Sequence, residues 1–306
     1  MTLIDAAIVR TLPAVPRPIV RRLSSRYIAG EELADACRVV SELNDRGRMG
    51  TIDVLGEEVT TREEALALVD AYRDVFDAIR DDELDSNVSV KPTGLGLKLD
   101  RDFCRENVEA IVRCAAERRN FVRIDMEDAT TTADTLAIYR ELRERGHENV
   151  GIVLQARLRR TLADIDDLAD LTPNVRVCKG IYLEPAEIAY QEPETIRENF
   201  ADCVEALVAG GSYVGIATHD EWLVEHGERV VAERRLTPDE YEFQMLLGVR
   251  ERLGDAILAA GHRLRIYVPF GRRWYEYSLR RLQENPNIAG HIARDTVGRF
   301  LGRNGA

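Results

Sequence analysis

Eight times in this chain a short run rich in β-branched and apolar residues is followed by a stretch with helical periodicity, and that repetition limits the possible folds more than any other feature. Strand-like runs at 51–55, 87–91, 121–125 and 150–156 precede helical stretches at 62–80, 101–118, 132–145 and 161–171. Runs at 175–179, 213–217, 241–245 and 264–268 precede helical stretches at 195–208, 220–234, 249–259 and 274–284. A helix between successive strands carries the chain back across the sheet, so the strands run parallel, and eight units at a spacing of roughly 25–35 residues suffice to close a barrel. The expectation is an α/β chain: a distorted (βα)8 barrel of the TIM type over 49–306, ending in a short helix. A helical arm over 1–48, interrupted at Pro13, Pro16 and Pro18, would precede it. A doubly wound open sheet is the alternative, but Gly94-Leu95-Gly96 lacks the third glycine of a dinucleotide fingerprint and no Gly-Lys-Ser/Thr occurs.

Charge narrows the choice of partner. The formal net charge is -12, and of 42 basic residues only Lys91, Lys98 and Lys179 are lysines. An acidic chain is a poor ligand for nucleic acid, whose binding depends on neutralised phosphates. The five cysteines form no Cys-x-x-Cys pair and read as free thiols of a reducing compartment. With no long apolar run and no signal-peptide pattern, the expected location is cytoplasmic. Residues 4–20 are apolar and lie close to Arg10, Arg17, Arg21 and Arg22, which allows peripheral contact with an anionic membrane; a helix packed on its own domain is the preferred reading.

In a closed parallel barrel the carboxyl ends of the strands form the active face. Those ends carry Lys91, Asp125 with Glu127, Gln155, Arg176 with Lys179, Thr218-His219, Glu242 with Gln244, and Tyr267. One polar residue at a strand end is usually a cap or a loop anchor, and Asp220 and Thr132 are read that way. So many in one mouth imply a polar ligand or cofactor, since buried polar groups need partners. On the last helical stretch, Tyr277, Arg280, Arg281 and Glu284 recur at i, i+3, i+4 and i+7, so a phenol, two guanidiniums and a carboxylate share one face suited to gripping a carboxylate. No histidines stand at metal-ligand spacing, so no metal site is expected. No Gly-x-Ser-x-Gly elbow occurs either.

These segments resemble the proline dehydrogenase family in its small, monofunctional bacterial or archaeal form. The resemblance rests on Ser-Val-Lys (89–91), Arg-Ile-Asp-Met-Glu-Asp (123–128), Leu-Gln-Ala-Arg-Leu-Arg-Arg-Thr (154–161), Arg-Val-Cys-Lys-Gly-Ile-Tyr (176–182), Ala-Thr-His-Asp (217–220), Tyr-Glu-Phe-Gln-Met-Leu (241–246) and Tyr-x-x-Arg-Arg-x-x-Glu (277–284). It implies FAD held on a barrel without a Rossmann fingerprint, and oxidation of L-proline to 1-pyrroline-5-carboxylate as the first step of proline catabolism. Electrons would pass to a quinone or another acceptor, and the product to a pyrroline-5-carboxylate dehydrogenase.

Carried over by residue, the resemblance implies that Arg280, Arg281 and Lys91 hold the substrate carboxylate, Leu246 and Tyr267 wall the ring, and Tyr182 and Tyr277 close the pocket. Asp125 would tune the charge beside the substrate and Arg176 would stand near flavin N5. Met126, Gln155, Lys179, Gly180, Ile181, Thr218 and His219 would hold the rest of FAD, with Thr195 and Arg197 toward its phosphates. The chain departs from the family pattern at Pro92, after Lys91, and in the crowding of Arg272, Arg273 and Trp274. The runner-up reading is a Schiff-base aldolase on the same barrel, with Lys91 or Lys179 as nucleophile; a non-catalytic binding barrel is the third.

Overall fold

The computed structural model describes residues 26–275, 277 and 278. Its eight strands form one closed, all-parallel barrel in sequence order: β1 (Met49–Val54), β2 (Ser86–Val90), β3 (Val122–Ile124), β4 (Val150–Gln155), β5 (Asn174–Cys178), β6 (Tyr213–Ala217), β7 (Tyr241–Leu246) and β8 (Leu264–Phe270). Closure is made by β8 against β1, paired from Met49↔Arg265 to Val54↔Phe270. Outside the barrel run α1 (Leu33–Asn44), which precedes β1, and α2 (Arg62–Asp81), α3 (Arg101–Glu117), α4 (Thr132–Glu144), α5 (Thr161–Leu168), α6 (Pro193–Ala209), α7 (Glu221–Arg234) and α8 (Glu251–Ala259).

Local chemistry accounts for several of these boundaries. Thr61 and Asp100 accept the backbone N–H groups of Glu64 and Phe103, capping α2 and α3. Pro193 opens α6 at a position that needs no N–H donor. The outward residues of the strands, among them Ile52, Val88, Ile124, Ile152, Val177, Ile216 and Val268, are completely or almost completely buried and share one core with the inner faces of the helices. Helix α1 belongs to that core through Ala36, Cys37, Val40 and Leu43. Just before it, the Ala29 N–H donates to the Pro269 carbonyl, and Tyr27 and Ile28 pack with Leu55 and Tyr277. The last stretch of the arm before α1 therefore backs one wall of the barrel mouth.

Alternation along the strands turns the other set of side chains to the axis, and in this barrel they are polar. Asp53, Ser89, Arg123, Asp125, Arg176, Glu242, Gln244 and Arg265 are all at least nine-tenths buried. Barrel interiors are ordinarily filled by Val, Ile and Leu. A polar filling needs partners, and here some lie across the axis on non-adjacent strands, as Asp125 does for Arg176 and Tyr267, while others lie on neighbouring strands, as Glu242 does for Arg265.

Candidate active site

The carboxyl ends of the strands open into a cavity of about 670 Å³, within the range of small-molecule and cofactor sites. Its floor is a hydrogen-bonded chain. Lys91, one residue past β2, donates from Nζ to Asp53 Oδ1 at 2.7 Å and to the phenol oxygen Oη of Tyr267 at 2.9 Å. Tyr267 donates its phenol proton to Asp125 Oδ2 at 2.8 Å. Arg176 Nη1 donates to Asp125 Oδ1 at 2.8 Å, its Nη2 reaches Ser89 Oγ at 3.2 Å, and its Nε donates to Gln244 Oε1. Burial opposes the charge on Lys91, but Asp53, Tyr267, Asp125 and Glu57 outweigh it and hold the ammonium well above the ordinary lysine pKa. Burial, helped by Asp125 and Asp53, pushes the Tyr267 phenol well above its usual value, so it stays a donor.

The opposite wall is built from the ends of β4, β5 and β6. Gln155 Nε2 donates to the Glu127 carbonyl at 2.7 Å, fixing its amide under the cavity. Gly180 has φ +92, and a Cβ there would lie 2.7 Å from Gln155 Oε1, so only glycine lets the backbone turn this closely over the amide. Lys179 Nζ donates to Asp220 Oδ2 at 2.6 Å and Arg197 Nε to the same oxygen at 2.9 Å. Asp220 Oδ1 accepts the Trp222 N–H and caps α7, as its position in the sequence implies. His219 Nε2 accepts the Leu246 N–H at 2.9 Å, which sets the tautomer and ties β6 to β7. A mostly apolar cleft with fixed amides, an arginine beside a carboxylate and a glycine cradle suits a planar, polar-edged group such as a flavin.

Lys91, Asp125, Met126, Gln155, Arg176, Lys179, Gly180, Ile181, Tyr182, Thr218, His219, Leu246, Tyr267 and Tyr277 all line this one cavity, and Arg197 reaches it too. Thr195 is not among the lining residues, and Arg280 and Arg281 lie outside the described residues. Thr132 is a loop anchor rather than a cap: it is the first residue of α4, where the N-cap position belongs to Thr131, and its hydroxyl donates to the Asp128 carbonyl at 3.4 Å. Glu242 does not belong to the mouth. It sits near the start of β7, pointing inward at the closed end of the barrel, where it accepts from Arg265 Nε at 2.8 Å.

Two acidic residues escaped the sequence reading: Asp53, which is wholly buried, and Glu57, which lines the cavity. Glu127, read as a strand-end acid, lines the cavity and accepts the Thr93 N–H at 2.8 Å and the Thr93 hydroxyl. Glu127 thereby fastens the loop that starts at Pro92 and Thr93, and burial pushes its carboxyl up to about 7. An aspartate between Ile52 and Val54 in a strand buried on both faces was the available signal, because such a charge needs a partner.

A family model described as proline dehydrogenase matches residues 36–294. Proline dehydrogenase 2 of Bacillus subtilis is 37% identical over 270 residues, covering 88% of this chain and 89% of that protein. The proline dehydrogenase of Deinococcus radiodurans is 36% identical, covering 89% of each. Among solved structures, proline utilization A of Bdellovibrio bacteriovorus superposes with a TM-score of 0.82 at 22% identity, covering 91% of this chain and 36% of that longer one, a likeness that supports the barrel fold.

Proposed function

The chain belongs to the proline dehydrogenase family, and from that premise we propose how its cavity oxidises L-proline to 1-pyrroline-5-carboxylate with FAD as the flavin. The observation that carries the reading is the buried chain from Lys91 through Tyr267 and Asp125 to Arg176 at the floor of one cavity. FAD, when bound, accepts hydride from the ring carbon beside nitrogen. The protein supplies orientation and charge.

Lys91, with Arg280 and Arg281, takes the carboxylate of proline and points the ring into the cavity. The apolar side of Leu246 and the ring of Tyr267 pack against the pyrrolidine, and Tyr182 and Tyr277 limit water. Asp125 holds the Arg176 guanidinium in place, where it would stabilise negative charge on a bound flavin. Met126, Gln155, Lys179, Gly180, Ile181, Thr218 and His219 line the part of the cavity in which the remainder of FAD would lie, with Arg197 toward its phosphates. No base from the protein is required, because the neutral amine is the reacting species. A quinone or another acceptor would take up the electrons, and a pyrroline-5-carboxylate dehydrogenase would consume the product.

The aldolase reading is disfavoured by the partners of the two lysines. A Schiff-base lysine must be a neutral amine, whereas Lys91 is held protonated against buried Asp53 and Lys179 is paired directly with Asp220. The test is the visible spectrum of the purified protein before and after anaerobic L-proline. Flavin bands that bleach with L-proline and persist with lactate support the proposal; a colourless protein that cannot be reconstituted with FAD refutes it.

A further inference from the structure

Arg176 is held from three sides, and the partner on its Nε is the least expected. Gln244 Oε1 accepts that N–H, while Gln244 Nε2 donates to Glu242 Oε1, which in turn accepts from Arg265 Nε. All four side chains are more than nine-tenths buried. The direction of the amide is dictated chemically, since a guanidinium only donates and a carboxylate only accepts. Glu242 therefore acts at a distance: its charge at the closed end of the barrel forces the Gln244 carbonyl toward Arg176.

Gly215 provides the space. It pairs with Arg176 on one side and with Glu242 on the other, and a Cβ on it would stand 2.6 Å from Gln244 Nε2. Any side chain at 215 would displace the amide from its seat.

We infer that Gln244 is a positioning residue for the oxidation: oriented by Glu242 and seated over Gly215, it fixes the Arg176 guanidinium without neutralising it. Asp125 pairs with Arg176 but also lies 3.6 Å from the Lys91 ammonium, so its single charge is divided between two cations and does not neutralise Arg176. A carboxylate at 244 would make the same hydrogen bond but cancel the positive field that Arg176 turns toward the cavity. A neutral acceptor keeps both the aim and the charge. This inference rests on the reading of Arg176 given above.

The test exchanges the two groups. Gln244→Glu combined with Glu242→Gln preserves net charge, volume and every hydrogen bond from Arg265 to Arg176, and moves only the negative charge up to the guanidinium. Both the FAD-loaded parent and the exchanged protein are measured for flavin midpoint potential, for kcat and KM with L-proline, and for Tm. The expected result is a lower potential and a kcat reduced roughly tenfold to a hundredfold, with little change in KM or Tm. If potential and kcat both stay within about twofold-equivalent of the parent, the inference is overturned. Should the exchanged protein not fold, Gly215→Ala carries the test: the same loss of kcat with Tm largely kept supports the inference, and an unchanged kcat refutes it. A parent that does not bleach with L-proline would refute the functional reading instead, and this is seen before any variant is made.

Discussion

Replacing Lys91 with Met should destabilise the fold in a way that depends on pH. Asp53 is completely buried; its Oδ1 is bonded to Lys91, and its Oδ2 is a buried oxygen with no hydrogen-bond partner. Methionine matches the length of the lysine stem, so the loss is one of charge and donors rather than of packing. Removing one member of a buried pair leaves an uncompensated charge, at a cost of about 3–5 kcal/mol. At about 2–4 °C per kcal/mol for a domain of this size, Tm falls by about 6–20 °C. The uncompensated carboxylate can escape by taking a proton, so the penalty shrinks as pH falls from about 8 toward 5. Adding Asp53→Asn to Lys91→Met removes the orphaned charge and should restore about 2 kcal/mol or more, a coupling that a double-mutant cycle isolates. Thermal unfolding of parent, single and double variants at the two pH values is the assay. A loss below about 1 kcal/mol at pH 8, or a double variant no more stable than Lys91→Met, would refute the reasoning.

Three further outcomes follow from the same geometry. Glu127 titrates near 7 in the fold against about 4.3 in an unfolded chain, so the native state binds the extra proton between these values and stability declines as pH rises through that window. Glu127→Gln keeps an acceptor for the Thr93 N–H and a donor for its hydroxyl, and should lessen this decline by about 1–3 kcal/mol; equal slopes in parent and variant would contradict the assignment. Activity on L-proline should climb with pH as the substrate amine deprotonates, and a flat profile across that titration would count against the neutral amine as reactant. Tyr267→Ser should narrow the preference for L-proline over its 4-hydroxylated analogue by about tenfold, because in the proposed pose the phenol would meet the added hydroxyl; an unchanged ratio of kcat/KM values would move Tyr267 away from the ring.

Where the strand sequences are uniformly buried, the fold is legible. The expected runs at 150–156 and 213–217 coincide with β4 and β6 to within a residue, since Val, Ile and Leu on both sides of a strand leave little else to choose. The run expected at 121–125 shrinks to Val122–Ile124, because Asp125 has already turned into the mouth to meet Arg176. Height along the axis is harder to read. Glu242 and Gln244 share parity and both face inward, yet one belongs to the closed end and the other to the cavity floor, and nothing in a two-residue alternation distinguishes them. Asp53 escaped notice for a related reason: its partner is Lys91, 38 residues away, and the parallel pairing of β1 with β2 puts them together.

The pairing of β1 with β8 also has a consequence for how the chain reaches its final state. Arg265 Nη1 donates to the Gly50 carbonyl across a separation of 215 residues, and the two strands share a register six residues long. Until β8 has been synthesised, every partial assembly exposes two unpaired parallel edges, the kind of surface that recruits strands from other molecules. Helix α1 packs against both strands of this seam, so a helix made before β1 cannot complete its contacts until β8 arrives. Closure should therefore be a late and slow event in folding, with self-association during that wait as its principal competitor.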